Sequence, residues 1–102
     1  MQIQEIAAAE ANQYLVNKQA QFIDIRDAAS YAKGHIEGAV NLSDDTIEAF
    51  LKGADRQQVQ IIYCYHGYSS LGACAFFIEK GFEKVFNLTG GHEGWLRYLN
   101  DA

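Results

Sequence analysis

Cys64 stands directly after the apolar run Ile61-Ile62-Tyr63 and is followed within six positions by His66, Gly67, Ser69 and Ser70. Those residue types at that spacing can make an activated sulfur nucleophile. The run before Cys64 reads as the end of a buried strand and the pattern after it as a helix, so the segment is a strand–loop–helix junction. A helix N-terminus presents unpaired backbone N–H groups and a partial positive charge. Loop N–H groups converging on the same point complete an anion cradle. A cysteine opening such a loop has its sulfur in the cradle, which favours the thiolate and lowers its pKa below the ordinary ~8.5. Gly67 permits the tight reversal that turns the N–H groups inward, and His66 adds positive potential. Ser69 and Ser70 can cap the helix or donate hydroxyl hydrogen bonds to an anion. A free cysteine is among the residue types most often buried, and Cys64 alone would read as packing. The order of cysteine, glycine, serines and helix start at one junction favours catalysis. Cys74, mid-helix among Ala73, Ala75 and Phe76, reads as core.

The elements that must position this loop alternate regularly. Hydrophobic periodicity predicts strands at 3–6, 21–26, 38–42, 59–63 and 84–88, and helices at 7–18, 28–34, 43–53, 69–81 and 91–101. Ala8, Ala11 and Leu15 share one face of the first helix. Asp27 and Gly34 bound the second. Ser43, Asp44 and Asp45 read as caps opening the third. Residues 59–63 form the most apolar strand and are placed at the sheet centre. Trp95, Leu96 and Leu99 in the last helix read as core. This alternation predicts an α/β fold: one domain, residues 1–102, in three α/β/α layers about a central, mainly parallel, five-stranded sheet. Such sheets bind ligands at the carboxyl ends of their strands, and Cys64 lies at such an end.

Composition narrows the function. The net charge is −5 and the eight Lys and Arg residues are scattered, which argues against nucleic-acid or anionic-membrane partners. Uncharged apolar runs extend over only a few residues, too short for a membrane span. The N-terminal "MQIQEIAAAEANQYL" lacks a basic n-region and a long apolar stretch, so a cytoplasmic location is expected. Cys64 and Cys74 form neither a CxxC pair nor a disulfide framework. His35, His66 and His92 share no metal-ligand spacing, so no metal is assigned. His35 reads as a turn residue with a local ring hydrogen bond, His92 as the opening of the last helix, and Asp24 and Arg26 as a structural pair. A cysteine-dependent phosphatase or arsenate reductase would carry an arginine six positions after its cysteine to clamp the anion. That position here is Ser70.

Two long segments resemble the rhodanese family over nearly the whole chain. "FIDIRDAASYAKGHIEGAVNL" is similar to its first signature, through Asp24, Arg26, the Tyr31 region, Gly34-His35-Ile36 and Gly38-Ala39. "IIYCYHGYSSLGACAFFIEKGFEKVFNLTGGHEGW" is similar to its second half, through Cys64, the Lys80-Gly81-Phe82 turn, Gly90-Gly91 and Trp95. The loop itself resembles that of the small bacterial thiosulfate sulfurtransferases of the GlpE type. The resemblance implies a rhodanese-like domain with Cys64 as the catalytic residue and Tyr65, His66, Gly67, Tyr68, Ser69 and Ser70 as its substrate-binding loop. It implies thiosulfate as donor and cyanide or a dithiol, such as a thioredoxin-like protein, as acceptor, with no cofactor. The Tyr65–Ser69 N–H groups would stabilise a Cys64 persulfide. Two positions depart from the pattern: Tyr68, where a small polar residue is usual, and His92, where an aromatic commonly follows the two glycines. A bulky phenol at the loop apex is expected to narrow the entrance or select acceptors. The alternative implied by the same family is a binding module without catalysis, although such modules commonly lack the cysteine.

Overall fold

A computed structural model describes residues 3–101. Strand and helix alternate along the chain: β1 (Gln4–Ile6), α1 (Ala8–Val16), β2 (Ala20–Asp24), α2 (Ala28–Lys33), β3 (Val40–Asn41), α3 (Ile47–Gly53), β4 (Val59–Tyr63), α4 (Ser70–Glu79), β5 (Val85–Leu88) and α5 (Gly91–Asp101). The strands form one sheet in the order β1-β5-β4-β2-β3. All four pairings are parallel. β4 is therefore central, as its apolar run predicts, and Ile61, Ile62 and Tyr63 are fully buried. β2 and β4 end in register, with Asp24 opposite Tyr63, so the chain leaves both strands at the same edge.

Each face of the sheet has its own core. Ile6, Phe22, Ile61 and Tyr63 pack on one side with Ala11 of α1, Trp95 of α5 and the partly buried Tyr31 of α2. Ile23, Ile62 and Val85 pack on the other with Leu51 of α3 and Cys74 and Phe77 of α4. The result is the expected three-layer α/β/α architecture. Cys74 is completely buried, as its mid-helix setting predicts, and burial pushes its thiol up to about 12.

Several local expectations are corrected. α3 begins at Ile47, not Ser43, and Asp44 and Asp45 do not cap it. Ser43 N–H donates to Thr46 Oγ1 (2.9 Å), and Asp45 N–H to Ser43 Oγ (3.3 Å). These side-chain bonds fold residues 43–46 into a turn that competes with helix. Thr46, at the N-cap position, has no side-chain bond to the helix. Ser69 precedes α4 but also makes no capping bond. Leu96 and Leu99 are not core: they are 47% and 48% exposed. α5 turns Gly91 and Trp95 inward, while Leu96 and Leu99 border a cleft shared with Ser30 and Lys33 of α2.

Gly72 sits inside α4 with nothing within 4 Å of where a Cβ would lie. Glycine is a poor helix former relative to alanine. Gly72→Ala is expected to raise stability by ~0.5–1 kcal/mol, measurable as a higher urea midpoint with an unchanged slope.

Candidate active site

Cys64 follows the last residue of β4 and α4 begins six residues later, so the loop 64–69 spans the carboxyl edge of the sheet. Cys64 is buried at 3% exposure. Its Sγ accepts hydrogen bonds from Gly67 N–H (3.2 Å) and Ser70 N–H (3.3 Å), and lies 3.2 Å from Ser70 Oγ. Burial alone would raise the thiol pKa. The Ser70 hydroxyl and the backbone N–H groups of Ser70, Gly67 and His66 outweigh it, and the net shift is downward. This is the anion cradle that the cysteine–glycine–serine order predicts, with donors that differ in detail. The sulfur's hydrogen bonds come from Gly67 and Ser70 rather than from the whole run Tyr65–Ser69.

The remaining loop residues take other roles. Tyr65 reaches sideways, its hydroxyl bonding to Asp27 and lying 2.6 Å from Ser30 Oγ. That hydroxyl, followed by the hydroxyl and N–H of Ser30, holds the Asp27 carboxyl down at about 2. The His66 ring does not face the sulfur; its Nδ1 lies 2.6 Å from Glu93 Oε2 in a largely exposed pair. Tyr68 is 78% exposed at the loop apex.

The turn between β5 and α5 braces the loop from behind. His92 N–H donates to Cys64 O (2.8 Å) and Glu93 N–H to Tyr65 O (3.0 Å), so the free N–H groups of a helix start are spent on the loop carbonyls. The approach leaves no room for side chains. A Cβ on Gly91 (φ +60°) would lie 2.6 Å from the Tyr65 carbonyl, and one on Gly67 (φ +96°) would lie 3.0 Å from Gly90 N.

Asn87 was not singled out from sequence, yet it joins the site. Its buried side-chain amide donates to Gly67 O (2.9 Å) and to the Glu5 carboxylate (3.1 Å), and its Oδ1 accepts from Ser70 Oγ. One side chain thus holds both residues that contact the sulfur. The single Ser70 hydroxyl proton lies between two acceptors. It serves Asn87 while Cys64 is a thiol that can donate to Ser70 Oγ, and it can turn to the sulfur once Cys64 ionises. An inward-facing polar residue in a strand otherwise as apolar as "VFNL" is the one signal in the sequence that marks it.

Asp24 and Arg26 form the expected buried pair. Arg26 Nε is 3.1 Å from both carboxylate oxygens, and Nη2 is 2.7 Å from Oδ2. His92 lies against this pair, with Nδ1 3.2 Å from Arg26 Nη1; burial, then the Arg26 charge, lowers its pKa. His35 Nδ1 bonds locally, 2.8 Å from Tyr31 O, as predicted for a turn histidine. His35 and His92 line one cleft while His66 points to Glu93, and no group of three His, Cys, Asp or Glu converges among the described residues.

Comparison with known proteins decides the lineage. The family profile described as "Rhodanese-like domain" matches residues 7–98. The chain belongs to the rhodanese-like domain family. The fold is similar to a rhodanese-like domain protein from Staphylococcus aureus, at 26% identity over 91% of each chain with a TM-score of 0.80. It is also similar to the BH2092 protein from Bacillus halodurans, at 28% identity over 94% of this chain and 73% of that one, with a TM-score of 0.83. A third likeness, to CoADR-RHD from Bacillus anthracis, is at 24% identity over 97% of this chain but 17% of the larger one, with a TM-score of 0.82. No helix of this rhodanese-like domain, among the described residues, is long and apolar enough to cross a membrane.

The Ser70 contacts generate a pH test. Ser70→Ala removes a donor to the thiolate while leaving the Ser70 N–H in place, so the Cys64 pKa should rise toward the ordinary thiol value. The midpoint of iodoacetamide alkylation against pH should move upward. Below both midpoints the rate should fall several-fold; an unmoved midpoint would show that the hydroxyl does not act on the thiolate.

Proposed function

We propose that this rhodanese-like domain is a thiosulfate sulfurtransferase that carries sulfur on Cys64. The observation that carries the reading is the Cys64 sulfur held by two N–H groups and beside the Ser70 hydroxyl, with its pKa lowered. The Cys64 thiolate attacks the outer sulfur of thiosulfate, the S–S bond of the donor breaks, and sulfite leaves with the electron pair. The product is a Cys64 persulfide, an anion that the same donors stabilise. In the second step an acceptor nucleophile attacks the outer sulfur and Cys64 leaves as thiolate. Cyanide becomes thiocyanate; a dithiol, such as a thioredoxin-like protein, takes the sulfur onto one thiol. This double displacement implies ping-pong kinetics. The likeness of residues 64–70 to the GlpE-type loop supports thiosulfate as donor. Two unpaired cysteines suit a reducing compartment, and we place the reaction in the cytoplasm.

The step asks little more of the chain, because the leaving group, sulfite, needs no proton and the lowered Cys64 pKa favours the attacking thiolate. Phosphoryl transfer would be poorly served. The position of the arginine clamp is Ser70, whose hydroxyl is engaged by Asn87, and the nearby Arg26 is already engaged by Asp24, Gly34 O and His92.

The test is direct. With thiosulfate and no acceptor, the protein should gain the mass of one sulfur on the Cys64 peptide, and cyanide should restore the original mass. Cys64→Ser should abolish both with the fold intact, since a serine hydroxyl stays protonated near neutral pH. Cys74→Ala should keep most turnover and lose ~1 kcal/mol of stability, within the usual range for a small buried truncation. A domain that only binds partners would acquire no sulfur while its Cys64 thiol remained alkylatable.

A further inference from the structure

A groove of about 710 Å³ runs between α3 and α4 at the same sheet edge as the Cys64 loop. Its volume is far more than thiosulfate or cyanide requires and falls in the ~300–1,000 Å³ range of sites for organic ligands. It abuts the loop at two points. Ser69 lines it immediately before Ser70, and Asp27 lines it while bonding to Tyr65.

The walls are apolar: Ile25 and Leu42 from the strand ends, Ile47 from α3 and Phe76 from α4. The rim is acidic, carrying Asp27, Asp44 and Glu48. Asp44 and Glu48 make no ion pair among the described residues. Arg26 is the one cation in the lining, and its charge is already met by Asp24. The groove therefore offers apolar contact and uncompensated negative charge.

Gly72 is a second, independent sign. It lines the groove from the first turns of α4, where glycine is a poor choice for helix formation. No neighbouring atom requires it, since the space beyond its Cα is empty to 4 Å. What a side chain there would occupy is the groove itself.

Building on the sulfurtransferase reading above, we infer that this groove seats the acceptor: a polypeptide segment with basic and apolar side chains flanking the thiol that it delivers to Cys64. A polypeptide fits better than a small thiol, because Cys64 is buried and outside the groove lining, which meets the loop at Ser69. The occupant must span both. Its thiolate attacks the outer sulfur of the Cys64 persulfide, the S–S bond breaks, Cys64 departs as thiolate and the segment leaves as a persulfide. An anionic thiol of the same size meets three carboxylates and is rejected, which is specificity by repulsion as much as by attraction.

The experiment uses two synthetic peptides of equal length, each with one cysteine between leucines, one flanked by lysines and the other by glutamates. Discharge of the thiosulfate-loaded protein is followed by mass, and each rate is divided by that peptide's rate with a small disulfide, which removes the effect of the flanks on the thiol. The lysine peptide should discharge roughly tenfold or more faster at low salt, and the advantage should shrink as salt screens the rim. Asp44→Lys with Glu48→Lys should abolish the preference. Gly72→Trp should slow the lysine peptide relative to cyanide discharge in the same protein. A normalised ratio near one in the native protein, or a preference that survives the charge reversal, overturns the inference. Serine versions of both peptides, titrated by fluorescence anisotropy onto unloaded protein, separate the two readings. Selective binding of the lysine form with no sulfur loading overturns the reaction but keeps the groove. Loading without selective binding or discharge overturns the groove alone.

Discussion

The ion pair of Asp24 and Arg26 is the constraint on which the site depends. Both residues lie at the carboxyl end of β2, almost wholly buried, and the guanidinium is met by the carboxylate along two edges. Burial works against the Arg26 charge, and the hydrogen bonds and charge of Asp24 more than restore it. The same guanidinium donates to Gly34 O (2.7 Å), approaches His92 and lies over the Tyr63 and Tyr65 rings. Asn41 donates to the carbonyls of Asp24 and Arg26 and closes the turn. One buried charge pair thus fixes the exit of α2, the start of α5 and the first residue past Cys64. Deleting either partner alone would strand a buried charge, typically at a cost of ~3–5 kcal/mol.

The sulfur is held by a different principle. Its donors are mostly backbone groups, and the groups that position them are glycines and a buried amide. Backbone donors cannot choose another rotamer, so the cradle is fixed by chain path. The path is fixed in turn by the close approach of Gly67 to Gly90 and of Gly91 to the Tyr65 carbonyl. The loop and the turn behind it therefore behave as one interlocked piece, with Asn87 tying that piece to β1 through Glu5.

Much of this was legible in the sequence, for physical reasons. Strand and helix order follow from periodicity, and the central place of residues 59–63 follows from their apolar run. The position of Cys64 follows from the rule that parallel sheets open at their carboxyl edge. What escaped depends on contacts between distant residues. Asn87 meets Ser70 and Gly67 across 17 and 20 positions, and no local pattern encodes that meeting. His66 was assigned to the anion by proximity in sequence, but its ring finds Glu93. Asp44 and Asp45 look like caps, yet Ser43 and Thr46 satisfy each other first. Leu96 and Leu99 carry core-like spacing, but α5 gives the core Gly91, Trp95 and the partly buried Tyr98 instead. Local chemistry is readable; which of two local options wins is settled by packing.

The burial of Cys74 has a bearing on oxidation. The chain has two cysteines, and the second is buried on the inner face of α4 with its pKa raised by burial. A Cys64 sulfenic acid formed by peroxide would find no exposed companion thiol among the described residues. Its nearest hydroxyl, Ser70, cannot form the protective bond that a thiol would. An activated cysteine without an internal resolving partner is exposed to the irreversible sulfinic and sulfonic steps. Small thiols arriving from outside can cap such a sulfur reversibly.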